Sequence, residues 1–106
     1  MADYLFLYSE GSMPETEAEQ AKVMKAWTDW FTKLGAALKD GGNPFSGVAK
    51  SVGPDGSISD GPVGSSASGY SVVVADSIDD AVEMAKSCPV ILGGASISVF
   101  ETFNVM

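Results

Sequence analysis

The chain has 106 residues, enough for one hydrophobic core and too few for two, and its 45% apolar and 19% charged content is that of a folded domain, not a disordered segment. Its net charge of −8, with every basic residue a lysine, argues against nucleic acid and anionic membrane as partners, since both require a basic footprint. The absence of histidine excludes Ser-His-Asp and Cys-His nucleophile activation and any imidazole-dependent metal site within this chain, and the single cysteine, Cys88, excludes an internal disulfide.

Asp3 to Ser9 reads as the first strand. Tyr4, Phe6 and Tyr8 point one way and Leu5 and Leu7 the other, so both faces are apolar and both call for cover. Ser12 and Glu15 have capping-box spacing and Pro14 suits an early helical position, which predicts a helix running from there to about Lys39. Glu15, Glu17 and Glu19 crowd its start, where the helix dipole favours carboxylates. Met24, Trp27, Phe31, Leu34 and Leu38 recur at three- and four-residue spacing, Val23, Trp30 and Ala37 widen that stripe, and Gly41-Gly42 is the expected stop. Beyond it, Phe45, Val48 and Val52 are candidate strand positions, and Gly53-Pro54-Asp55-Gly56 is a strong turn signal. Ser57 to Asp60 then returns as a short strand to complete a hairpin. Asp60 to Gly69, rich in glycine and serine, reads as a surface loop.

Tyr70 to Ala75 is the next strand, with a β-branched run at Val72, Val73 and Val74. Ser77 follows as an N-cap, with Asp79 and Asp80 in the first turn. Ile78, Ala81, Val82 and Ala85 are expected to share one helix face, and Pro89 stops the helix. Val90, Ile91 and Leu92 continue an apolar run into Gly93-Gly94. In the last strand, Ala95, Ile97, Val99, Glu101 and Phe103 share one face and Ser96, Ser98, Phe100 and Thr102 the other.

This order predicts an α+β, ferredoxin-like domain spanning residues 1–106: one antiparallel sheet with two helices on one face. The other face must meet solvent or a partner, and its apolar residues predict a homodimer formed sheet against sheet. The N-terminus lacks a basic segment followed by an apolar run, and no apolar stretch has the length of a membrane span, so a soluble cytoplasmic protein is expected.

Several stretches together resemble the YCII-related family of bacterial proteins, in particular its DGPF-motif branch. They are the aromatic-rich YLFLY, the Pro-Glu helix start with its tryptophans, the hairpin turn PDG, and Asp60-Gly61-Pro62. Gly69-Tyr70-Ser71, the acidic ADSIDDAVEMAKSCP and the closing SVFETF complete the set. The resemblance covers most of the chain and implies a dimeric α+β barrel of ferredoxin-like subunits, in a family that is mostly uncharacterised. The His-Asp pair proposed as catalytic in some relatives has no counterpart here. Val63 stands where the motif has phenylalanine, and Gly64-Ser65-Ser66-Ala67-Ser68 replaces the charged segment that usually follows.

Asp60, the charged motif position retained, is the candidate general acid or base; the competing account is that it organises its own turn through the amide of Gly61. Tyr4, Tyr8 and Tyr70 are candidate ligand contacts, each with an apolar body and a polar tip, and dimer packing is their alternative role. Glu101 interrupts an apolar strand face and, if buried, needs a partner such as Lys50. Asn43, between the Gly-Gly pair and Pro44, is a further ligand candidate or a satisfier of backbone groups. Cys88, at a helix C-terminus, and Trp27 and Trp30 read as core residues. The glycine-rich loop lacks a P-loop lysine, zinc and EF-hand spacings are absent, and no cofactor or metal is expected. These features predict a small homodimer that binds a small molecule or a protein partner in or beside its barrel. The alternatives are a dimeric-barrel enzyme using Asp60 and a regulatory interaction protein without a small ligand.

Overall fold

In a computed structural model of the chain, which describes residues 2–10, 15–64 and 66–103, the elements follow in the order β1 (Ala2–Ser9), α1 (Glu17–Leu34), β2 (Leu38–Asp40), β3 (Lys50–Val52), β4 (Ile58–Asp60), β5 (Ala67–Ala75), α2 (Ile78–Lys86) and β6 (Ser96–Glu101). Single 3₁₀ turns occupy Gly35–Ala37 and Pro89–Gly93. The main sheet has the order β2-β5-β1-β6, with each neighbouring pair antiparallel.

The alternation in β1 sets the layers. Tyr4, Phe6 and Tyr8 are buried and lie opposite Val73, Ser71 and Gly69 of β5 and opposite Glu101, Val99 and Ile97 of β6. Both helices close over this face. Trp30 of α1 stacks near Phe6 at 6.3 Å between ring centroids, and Trp27 meets the edge of Tyr8 at 5.8 Å. Ala81 and Ala85 of α2, with Cys88 just beyond it, belong to the same buried cluster. The result is an α+β arrangement of antiparallel sheet and two helices, compatible with a ferredoxin-like fold. No helix among the described residues is long and apolar enough to cross a membrane.

Local chemistry explains the helix ends and corrects two expectations. Ser77 caps α2 as expected, its Oγ accepting the Asp80 N–H at 3.2 Å. Thr16 caps α1 by accepting the Glu19 N–H at 3.2 Å; the expected cap at Ser12 and helical Pro14 lie outside the described residues. The first correction concerns where α1 stops. It ends at Leu34, not near Lys39, because Gly35 takes a positive φ of 54° and donates its N–H back to the Phe31 carbonyl. Leu38 therefore does not belong to the helix stripe; it starts β2 and pairs with Val73. The second correction concerns the face of α2. Ile78 and Val82 are exposed, and the buried stripe runs through Ala81, Ala85 and Cys88. The small alanines allow close approach to the sheet, while the Trp30 indole donates to the Met84 carbonyl and the Ser87 hydroxyl and pins the end of α2 to α1.

Because β2 supplies the second strand of the sheet, the β3–β4 hairpin stands apart as its own two-stranded sheet. The turn at 53–56 behaves as expected, with Gly56 at φ 85° and the Gly53 N–H donating to the Ser57 carbonyl at 2.7 Å. That turn sets the register Val52↔Ile58 and Lys50↔Asp60. Where the chain leaves β2, Gly42 (φ 71°) passes so near β5 that a Cβ there would stand 1.7 Å from the Tyr70 carbonyl oxygen. Only glycine fits such an approach.

Candidate functional site

Polar groups cut across the helix-side core in one connected line. The Cys88 thiol donates to the Tyr8 hydroxyl at 3.7 Å, Tyr8 donates to Ser71 Oγ at 2.7 Å, and Ser71 donates to the Gly41 carbonyl at 2.8 Å. Strand alternation puts Tyr8 and Ser71 on the inner face, and the loop after β2 brings the Gly41 carbonyl within reach of Ser71. Burial pushes both the Tyr8 phenol and the Cys88 thiol above their ordinary values, so both keep their protons at neutral pH. The line is thereby satisfied and inert: it supplies neither a thiolate nor a phenolate, and its effect is to fix register within the core.

A second pair lies at the other end of β1. Tyr4 is almost fully buried, and its hydroxyl donates to Glu101 Oε2 at 2.9 Å, as their direct cross-strand register requires. Burial, then the bonded carboxylate, raises the Tyr4 phenol. Glu101 is thus held by Tyr4, and Lys50 instead faces Asp60 at 3.0 Å on the hairpin. The Asp60 side chain is 93% exposed there, and the Gly61 N–H donates to the Ala49 carbonyl.

The expected site residues are not gathered in one place. Tyr4 with Glu101 and Tyr8 with Ser71 occupy the helix face, several residues apart along β1. Tyr70, opposite Leu7 in the register, lies on the other face and meets the Phe45 ring at 6.0 Å. Asn43 is exposed beside Gly69, and Asp60 sits on the hairpin. Trp30 and Cys88 are core residues as expected, and Trp27 packs against the same cluster while only partly buried.

The face away from the helices has a different character. Leu5 lies between Val72 and Phe100, Leu7 between Tyr70 and Ser98, and Asp3 beside Val74. Lys39 pairs with Asp3 beside these apolar residues. At the Ser9 end of the face the lining turns polar: Ser9, Glu10, Ser66, Ser96 and Ser98 surround a half-open cleft of about 480 Å³. Glu10 there adopts φ 65°, the one positive φ outside glycine among the described residues, a strained conformation for such a side chain. Sequence reasoning placed Ser96 and Ser98 on one strand face but missed the cleft. The available signal was two hydroxyls at period two on an otherwise apolar surface.

A second cleft of about 480 Å³ runs between the ends of the helices, lined by Trp30, Lys33, Lys86, Ser87, Ile91 and Leu92 among others. Among the described residues no cluster of carboxylates and cysteine has the makings of a metal site. No protein-family model matches the chain, and no curated protein matches it.

Proposed function

We propose that the protein is a homodimer whose open sheet faces meet, and that the hydroxyl-lined cleft at the edge of that face holds a small polar molecule. The observation that carries this reading is the open face itself, where Leu5, Leu7, Val72, Val74 and Phe100 form one surface with no helix over it among the described residues. A contiguous apolar sheet face with a half-exposed Phe100 is the surface on this molecule suited to association. Closing it with a second copy would roof the cleft of Ser9, Glu10, Ser66, Ser96 and Ser98, leaving a recess that hydroxyls and one carboxylate could address. The resemblance to the YCII-related family supports the same assembly, a dimeric α+β barrel, and an unpaired cysteine in an acidic chain suits a cytoplasmic protein. Asp60 is not in the cleft lining, so the acid–base reading draws no support from the site.

The test is a thermal-shift screen against a broad metabolite library. A ligand at a hundred times its dissociation constant adds about 2.7 kcal/mol, which raises the melting temperature of a domain this size by about ten degrees. A hit lost in Ser98→Val, with the unliganded melting temperature unchanged, supports the cleft. Silence across the library moves the reading to a protein partner.

A further inference from the structure

The core uses only part of the apolar run Val90, Ile91 and Leu92. The 3₁₀ turn Pro89–Gly93 packs Val90 against the buried cluster and leaves Ile91 44% and Leu92 82% exposed. Both line the second cleft, of about 480 Å³, between the ends of α1 and α2. The rest of the apolar wall is fixed in place. The Trp30 indole is held by the Met84 carbonyl and the Ser87 hydroxyl, and Cys88 and Pro89 beside it are buried. A wall already set in position lowers the ordering cost of taking up a ligand.

The charge of this lining is opposite in sign to that of the chain. Lys33 and Lys86 face one carboxylate, Asp29, which leaves a surplus positive charge in a chain of net charge −8. The ion-paired neighbours do not alter that balance: Lys25 pairs with Asp29 and Glu83 with Lys86, adding one charge of each sign. Lys33 pairs with no carboxylate among the described residues. Both lining lysines stand in the last turn of a helix, where a cation offsets the negative helix end. That role does not account for the uncovered apolar wall beside them. We infer that this cleft binds a small amphiphilic carboxylate, whose apolar body lies against Trp30, Ile91 and Leu92 and whose oxygens accept from the ammonium groups of Lys33 and Lys86. The single surplus charge matches a monoanion, not the near-dianion of a phosphate monoester. A cationic guest would be repelled, and an anion without an apolar body would gain nothing from the wall. The site lies on the helix side of the sheet, away from the cleft proposed above, and does not depend on pairing of the open faces.

The experiment titrates the full chain with octanoate and with 2-naphthoate and follows the indole N–H signals of its two tryptophans by NMR. The Trp30 signal should move saturably, and further than that of Trp27, which is not in the lining. Octanol and octylammonium keep the apolar body and change the head. They should bind roughly tenfold more weakly than octanoate, the scale of two exposed charge pairs. The double variant K33E/K86E should reverse the preference and bind octylammonium better than octanoate. Leu92→Asn should weaken octanoate and octanol alike, because it removes apolar wall and no charge. Should charge reversal disturb the ligand-free spectrum, K33Q/K86Q takes its place, with loss of the preference for octanoate over octanol as the readout. The assignment is overturned by the absence of a saturable shift with either carboxylate, by octanol binding as tightly as octanoate, or by an octanoate affinity that survives the lysine substitutions.

Discussion

On the helix side of β1, Tyr4, Phe6 and Tyr8 are buried by Trp27, Trp30, Ala81 and Ala85 of the same chain; on the opposite side, Leu5 and Leu7 share a surface with Val72, Val74 and a half-exposed Phe100. Apolar character is similar on both sides, so hydrophobicity alone does not distinguish them. What differs is where the cover comes from. The helix side also carries the satisfied line Cys88–Tyr8–Ser71–Gly41, which specifies one packing arrangement, whereas the open side carries no such line among the described residues. One face holds the monomer together; the other is available for association.

The largest expected effect breaks the comparison if it fails. Phe6→Ala should cost the dilute chain about 3–5 kcal/mol in denaturant unfolding, the usual cost of emptying a fully buried aromatic site. Leu5→Ala, one residue along, should cost the dilute chain about 1 kcal/mol or less and act mainly on association. Equal losses at the two positions would mean that the faces are energetically alike.

Alkaline pH probes the buried line next. The folded-state values of the Cys88 thiol and the Tyr8 phenol are raised above their ordinary 9.0 and 10.0, so the native state binds more protons than the unfolded one above those values. Their contribution is complete below about pH 9 and declines as pH rises through 9 and then 10, by at most about 1.4 kcal/mol per pH unit for each group. Stability measured from pH 8 to 11 should fall less steeply in Cys88→Ala from pH 9 and in Tyr8→Phe from pH 10; parallel curves for the variants and wild type would contradict the burial account. At neutral pH, Tyr8→Phe should cost about 1 kcal/mol, because Ser71 keeps the Gly41 carbonyl as its acceptor. The smallest effect belongs to Lys50→Ala. Both members of that ion pair are exposed, and the melting temperature of the dilute chain should not change measurably.

The parts legible in the sequence were those governed by local rules. Period-two alternation revealed the two faces of β1, the Ser77 cap placed the start of α2, and the Pro-Asp-Gly turn placed the hairpin. The Lys50–Asp60 pair was also within reach, since the turn sets which residues stand opposite. The end of α1 was obscured because Leu38 continues the spacing of Phe31 and Leu34, so a strand residue carries a helical phase. Its pairing with Val73 is a tertiary fact that local spacing does not contain. The cleft was hidden for a similar reason. Ser96 and Ser98 come from one strand, but Glu10 and Ser66 reach the same place only through the antiparallel register of β1 with β5 and β6.

The most direct test of the account is the solution mass of the wild-type chain by light scattering across a micromolar concentration range. The proposed pairing of open sheet faces predicts twice the 11.0 kDa chain mass, falling toward 11.0 kDa only on dilution. A constant 11.0 kDa throughout would contradict the claim that a second copy covers the open sheet face.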